Sequence, residues 1–182
     1  VQYELKHYGE VTANLFEILN TRFFNSSSFR KFITLIYGEI HENGKFRFIT
    51  AGHPIPVVFS HKYDAMMPIS LDRMVRFPAM GTLPSGEDVD SRRNWSRLGY
   101  KKKYSVNEIN LMGSGDILLL YTDGLSEHGF DTDQNYFPDR LEEALKRVKD
   151  QSAQEIFRHL KEDVKQFCKA SDDISIVVIK KR

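Results

Sequence analysis

Apolar positions change their period several times along the chain, and each change marks an element. In "VTANLFEILNTRFF", Val11, Leu15, Ile18 and Leu19 recur at helical spacing, and Phe16 and Phe23 widen the stripe. This predicts a helix from about Tyr8 to Phe24. The polar stretch Asn25 to Ser28 ends it. "FITLIYGEIHENGKFRFITAG" follows, two runs rich in β-branched and aromatic residues around Asn43-Gly44. That dipeptide tolerates the positive φ angles of a tight two-residue turn, so a hairpin is predicted. "IPVVFS" is a third strand. From His61 to Lys103 the pattern is weakest, with a strand-like "RMVRF" and turn residues in "GTLPSGED". "YSVNEINLM" reads as a further strand, and Gly113 to Asp116 should turn the chain into "ILLLYT". Two amphipathic helices come next. "DRLEEALKRVKD" has Asp139 as its expected cap. "SAQEIFRHLKEDVKQF" has Ser152 and Glu155 at capping-box spacing and lines one face with Ile156, Leu160, Val164 and Phe167. The last strand is "DDISIVVIK".

Strands in runs with helices grouped at the ends predict a layered α+β domain rather than alternating βαβ units. The 182 residues suit one domain, and no repeat, low-complexity tract or interdomain linker divides 1–182. An apolar fraction of 41% with 28% charged residues fits a chain that folds. The net charge of +1 gives no bulk electrostatic reason for a nucleic-acid or membrane-surface partner. Cys168 is the single cysteine, which excludes an internal disulfide and fits a reducing compartment such as the cytoplasm. No apolar run approaches the roughly 18 residues of a membrane span, and no signal peptide is visible. Because the chain opens on Val1 rather than Met, it is expected to be the C-terminal portion of a longer one.

Candidate chemistry sits at two strand ends. "ILLLYTDG" ends in acid, and "DDISIVVI" begins with it. A carboxylate at the rim of an apolar sheet needs water or a positive partner, since desolvating it unpaired costs several kcal/mol. If the two strands are antiparallel neighbours, Asp123 meets Asp172 and Asp173 at one sheet edge. Three carboxylates there repel one another, and a hard divalent cation with a preference for oxygen ligands relieves the repulsion. The plainer alternative stays open: Asp123-Gly124 as a turn, and Asp172-Asp173 as a solvated strand start.

The wording of these segments resembles the metal-dependent, type 2C serine/threonine protein phosphatases, in the bacterial SpoIIE-like branch. "FITLIYGEI", "GKFRFITAGHPIPVVF", "MGTLPSG", "GSGDILLLYTDGLSE" and "SDDISIVVI" occur in that branch's order, and the likeness covers about Asn14 to Ile179. It implies two antiparallel sheets packed as a sandwich with flanking helices. It also implies two Mg²⁺ or Mn²⁺ ions, held by Asp carboxylates, that activate water for attack on phosphoserine or phosphothreonine. By motif position Asp123 and Asp172 resemble metal ligands. Gly124 would let the backbone turn tightly beneath the ions, and Asp173 holds a position that is Asn or Asp in the family. The family's other ligands come from earlier Gly-Asp and Asp-x-x-Gly-His-Gly motifs, and this sequence contains neither. The implied substrate is a phosphorylated regulatory protein such as an anti-sigma-factor antagonist, under control of an upstream sensor domain. The other function class is a non-catalytic phosphatase-like domain that binds a partner.

The remaining candidates divide between chemistry and structure. His53, in the turn before Pro54, either orients a group at the site or serves the turn. His7, His41, His61, His128 and His159 show no paired spacing for zinc. "GSGD" is not a nucleophile elbow. Arg92, Arg93, Arg97 and Lys101 to Lys103 form a basic stretch, read as a solvated loop or as a surface for an acidic or phosphorylated partner.

Overall fold

A computed structural model describes residues 12–26, 32–86, 96–110, 113–130 and 134–182. The chain divides into two compact units. The first takes the described residues of Val1–His41, Phe46–His53 and Ser70–Glu108; the second takes Glu42–Lys45, Pro54–Ile69 and those of Ile109–Arg182. Each is built on one antiparallel sheet with helices, so the expected α+β class with two antiparallel sheets is what the chain forms.

The first unit contains helix α1 (Ala13–Ser26) and the sheet β1-β2-β5 up to Glu108, with β1 at Leu35–Ile40, β2 at Phe46–Ala51 and β5 at Asn107–Ile109. The predicted helical stripe does its work: Phe16 is buried with Ile49, Ala51, Phe77, Met80 and Tyr104, and Leu15, Leu19 and Phe23 pack against them. The helix runs to Ser26, past the expected break at Asn25, and its expected start at Tyr8 lies outside the described residues. Strands β1 and β2 pair from Leu35↔Ala51 to Ile40↔Phe46. The loop between them is longer than the predicted two-residue turn. Gly44 alone takes a positive φ, 84°, and the Lys45 N–H donates to Asn43 Oδ1 at 3.1 Å. Asn43 therefore serves as a side-chain acceptor, not as the first left-handed residue of a type I′ turn.

"RMVRF" is not a strand. Leu71–Arg73 forms a 3₁₀ turn, and Phe77 makes only an isolated bridge to Ala51. Val75 is held instead by the Asn107 side chain, which accepts from its N–H at 2.8 Å and donates to its carbonyl at 2.9 Å. An amide side chain has replaced the ladder. The basic stretch is also not uniformly solvated. The Lys101 side chain is 3% exposed, and its Nζ lies 3.0 Å from Glu17 Oε1, 2.7 Å from Ser85 Oγ and 3.6 Å from the Tyr104 ring centroid. Lys102 and Lys103 are exposed, and Arg92 and Arg93 lie outside the described residues.

The second unit carries the sheet β4-β3-β6-β7, formed by β3 (Val57–Ser60), β4 (Ala65–Met66), β6 (Ile117–Tyr121) and β7 (Ile176–Lys180). A one-turn helix α2 (Asp123–Ser126) follows β6, and the longer helices α3 (Asp139–Val148) and α4 (Ala153–Phe167) precede β7. The apolar run of β6 is central to the sheet, and Ile117, Leu118 and Leu119 have no exposed surface. They share a core with Phe59, Leu125, Tyr136, Leu141, Leu145, Ile156 and Leu160 or lie beside it in the same strand. Helix α4 starts with the predicted capping box. Ser152 Oγ accepts from the Glu155 N–H at 3.3 Å, and Glu155 Oε2 accepts from the Ser152 N–H at 3.1 Å. Helix α3 departs from expectation: Pro138 stands at its N-cap, and Asp139 is the first helical residue and makes no capping bond. Its negative charge still suits the first turn.

Candidate active site

The two acidic strand ends belong to the second unit. Strands β6 and β7 are antiparallel neighbours, paired from Ile117↔Lys180 to Tyr121↔Ile176. The end of one therefore lies beside the start of the other, as the sequence required for the acids to meet. Beyond the last pair the chains stay joined. The Thr122 N–H donates to the Ser175 carbonyl at 3.1 Å. Thr122 Oγ1 donates to the Asp173 carbonyl at 3.2 Å and accepts from the Ser175 N–H at 2.9 Å. A threonine after a β-rich run carries no local signal of a partner some fifty residues on, so Thr122 does not stand out in the sequence.

Asp123 opens the one-turn helix α2. Its Oδ1 accepts the next backbone N–H, from Gly124, at 3.0 Å, and its carbonyl accepts from Ser126 Oγ at 3.0 Å. Asp172 repeats the pattern, with Oδ1 accepting from the Asp173 N–H at 2.7 Å. All three acids are exposed. The opposite end of β6 shows what a retired carboxylate looks like. Asp116 is 4% exposed, and its two oxygens accept the N–H groups of His61 at 2.8 Å and Gly113 at 2.6 Å. Asp123 and Asp172 each keep oxygen lone pairs open to solvent.

Gly124 lies in the tight turn that follows β6. It is helical and has no positive φ. What it supplies is space: a Cβ there would lie 2.5 Å from the Asp173 carbonyl oxygen. The glycine lets the backbone before β7 lie directly against the turn after β6. The final strand is shorter than predicted. It starts at Ile176, and Asp172 sits in a bend, so strand alternation does not extend to the acidic pair. It does hold from Ile174 onward, where Ile174, Ile176 and Val178 turn to the core and Ser175 and Val177 are exposed.

The donors suit a hard divalent cation in kind, being carboxylate oxygens at one sheet edge. They fall short in number. Among the described residues no three His, Cys, Asp or Glu side chains gather into a set able to hold a metal ion. The three carboxylates expected to converge thus share an edge without closing on one point. His53 belongs to the other unit, where its carbonyl accepts from Thr50 Oγ1 at 2.8 Å. His128 is a core residue, with Nε2 3.0 Å from the Val164 carbonyl.

A family profile described as "Stage II sporulation protein E (SpoIIE)" matches residues 3–182. The chain belongs to the SpoIIE family. Solved structures agree on the fold. The phosphatase domain of the cell fate determinant SpoIIE from Bacillus subtilis, presoaked with Mn, superposes with a TM-score of 0.57 at 14% identity, over 98% of this chain and 70% of that one. A longer SpoIIE structure, holding the PP2C phosphatase domain and a fragment of the regulatory domain, gives 0.66 at 16% identity, over 98% and 46%. The RsbU and RsbW domains of a Mycobacterium tuberculosis protein give 0.64 at 20% identity, over 98% and 44%. This SpoIIE-family chain therefore spans less than half of the two longer structures. No curated protein matches the sequence significantly. Two antiparallel sheets with helices are the SpoIIE phosphatase-domain fold, and the family match comes to this chain along nearly its whole length. Among the described residues no helix is long and apolar enough to cross a membrane.

Proposed function

We propose that this chain is a single phosphatase domain, residues 1–182, carrying part of a site that removes phosphate from phosphoserine or phosphothreonine on a regulatory protein with the help of Mg²⁺ or Mn²⁺. The observation that carries the reading is the meeting of Asp123 and the Asp172-Asp173 segment where β6 ends and the chain enters β7. In this reading Asp123 and Asp172 hold metal, Gly124 allows the two segments to touch, and Asp173 supports the site. Bound divalent ions would acidify a water and neutralise charge on the phosphate oxygens. The chain's own part is to present carboxylates at a solvent-open edge, where a phosphorylated side chain can reach them. No covalent enzyme intermediate is needed, and no serine or cysteine nucleophile is invoked.

Two ions require more oxygen ligands than the carboxylates of this edge supply. The substrate class that fits the family is a phosphorylated regulator, such as an anti-sigma-factor antagonist in a partner-switching system. A sensor domain upstream would control activity, in the cytoplasm. The test is phosphate release from a phosphoserine-bearing regulator by the full-length protein, stripped of metal and titrated with Mn²⁺. Release that rises from baseline with Mn²⁺, and is lost in Asp123→Asn, supports the reading. Release equal with and without metal overturns it.

A further inference from the structure

We infer that Thr122 is a positioning residue for the acidic site, holding the Asp172-Asp173 segment at its distance from Asp123 through the two hydrogen bonds of its hydroxyl. The inference rests on the proposed metal-dependent reading of that edge. The β6–β7 ladder stops at the pair Tyr121↔Ile176, and the acids lie beyond it, Asp123 two residues past Tyr121 and Asp173 three before Ile176. Backbone pairing alone does not carry the register to the carboxylates. One backbone bond, Thr122 N–H to the Ser175 carbonyl at 3.1 Å, takes it one step further. The hydroxyl takes it the rest of the way. It accepts from the Ser175 N–H at 2.9 Å and donates to the Asp173 carbonyl at 3.2 Å.

A threonine suits this task chemically. One hydroxyl is donor and acceptor at once, and the β-branch limits its χ1 freedom. The Asp173 carbonyl that it grips is the same group that lies against Gly124. The same carbonyl is thus both close to the Gly124 backbone and held by the hydroxyl. Ser175 and Asp173 are exposed, so water can replace the lost bonds in a variant. The expected loss is one of placement more than of stability. Groups that orient metal ligands without touching the metal are worth about 10- to 100-fold in metal affinity or activity.

The test uses Thr122→Val, which keeps the shape and removes the hydroxyl, and Thr122→Ser, which keeps the hydroxyl. In the full-length protein, Thr122→Val should raise the Mn²⁺ concentration for half-maximal phosphatase rate by about tenfold or more. The rate at saturating Mn²⁺ should largely recover, and Thr122→Ser should behave as wild type. In the 182-residue chain itself, amide hydrogen exchange at Ser175 should quicken in Thr122→Val and stay slow in Thr122→Ser. A Thr122→Val protein with the wild-type Mn²⁺ requirement overturns the inference. So does a rate lowered equally at every Mn²⁺ concentration, which is the mark of lost folded protein. Should Thr122→Val fail to fold, Thr122→Ala carries the same comparison. Asp123→Asn separates this inference from the reading beneath it. If Asp123→Asn is impaired and Thr122→Val is not, the positioning role alone falls; if Asp123→Asn also keeps the wild-type Mn²⁺ requirement, the metal reading falls and takes this one with it.

Discussion

Asp172 and Asp173 are adjacent, exposed and chemically alike, yet their expected roles differ. The Asp173 backbone carbonyl is occupied by Thr122 and lies against Gly124, while Asp172 stands one residue further out in a bend. Asp→Asn keeps the shape and removes the charge that holds a hard cation. Asp123→Asn and Asp172→Asn should therefore raise the Mn²⁺ requirement sharply and cut turnover by about a hundredfold or more, the scale of a few kcal/mol in the transition state. Asp173→Asn should cost much less. A Mn²⁺ titration of rate for the three single variants checks this, and a dead Asp173→Asn beside an active Asp172→Asn would reverse the assignment. Gly124→Ala is a steric test of the same edge. Its Cβ would sit 2.5 Å from backbone that cannot rotate away, so the 173–175 segment must shift. We expect about 1–3 kcal/mol of lost stability, seen in thermal melts, together with a weakened Mn²⁺ response.

Elements show where local signals sufficed. Helix α4 was legible from its stripe and its Ser152/Glu155 box because every partner lies within one or two turns. Ser152→Ala should cost about 1 kcal/mol, measurable in denaturant midpoints. "RMVRF" misled because its strand-like composition has no ladder to join; an asparagine 32 residues away takes up the backbone groups of Val75. Lys101 misled for a related reason. In sequence it belongs to a basic run, but in the first unit it is paired with Glu17, which comes from α1, 84 positions earlier. Glu17 also accepts from the Ser85 hydroxyl and, at 2.5 Å, from the Tyr104 N–H. Lys101→Ala would leave a carboxylate largely buried without its cation, and we expect about 3–5 kcal/mol of destabilisation in chemical unfolding. Lys101→Met combined with Glu17→Gln should recover part of it.

Across the whole molecule, near-neutral charge and buried phenols make two expectations. Net charge is +1, and the burial of Lys101 takes one cation out of the basic stretch from Arg92 to Lys103. Sequence-specific nucleic-acid binding is not expected. A salt-resistant gel shift with one DNA sequence would contradict this. The second expectation concerns alkaline pH. Burial pushes the Tyr121 hydroxyl from 10.0 up to about 12. Tyr104 and Tyr136 are also pushed up, by burial first and then by Glu17 and Asp163 respectively. Above about pH 10 the unfolded chain loses these protons while the folded chain still holds them. Their contribution is therefore complete below about pH 10 and is lost as pH rises through the folded values. Melting temperatures should hold steady from about pH 8 and fall above about pH 10; a flat profile through that window would show the phenols to be indifferent.

Periodicity and capping chemistry are local. For that reason the sequence by itself determined α1, the hairpin arms, the buried strand β6 and the box at α4, and with them the α+β class. It also marked Asp123, because an apolar run that stops on a carboxylate is visible in a few adjacent letters. The neighbouring of β6 and β7 was conditional in the sequence, since strand order depends on contacts between residues far apart in the chain. Only the tertiary structure decided that Asp123 faces the Asp172-Asp173 segment. It likewise decided that Gly124 is there for lack of a Cβ, and that Thr122 bridges to Asp173 and Ser175 across 51 and 53 positions. Hydrogen bonds and close backbone approaches of that length leave no periodic trace, because the geometry that makes them exists only once the core has folded.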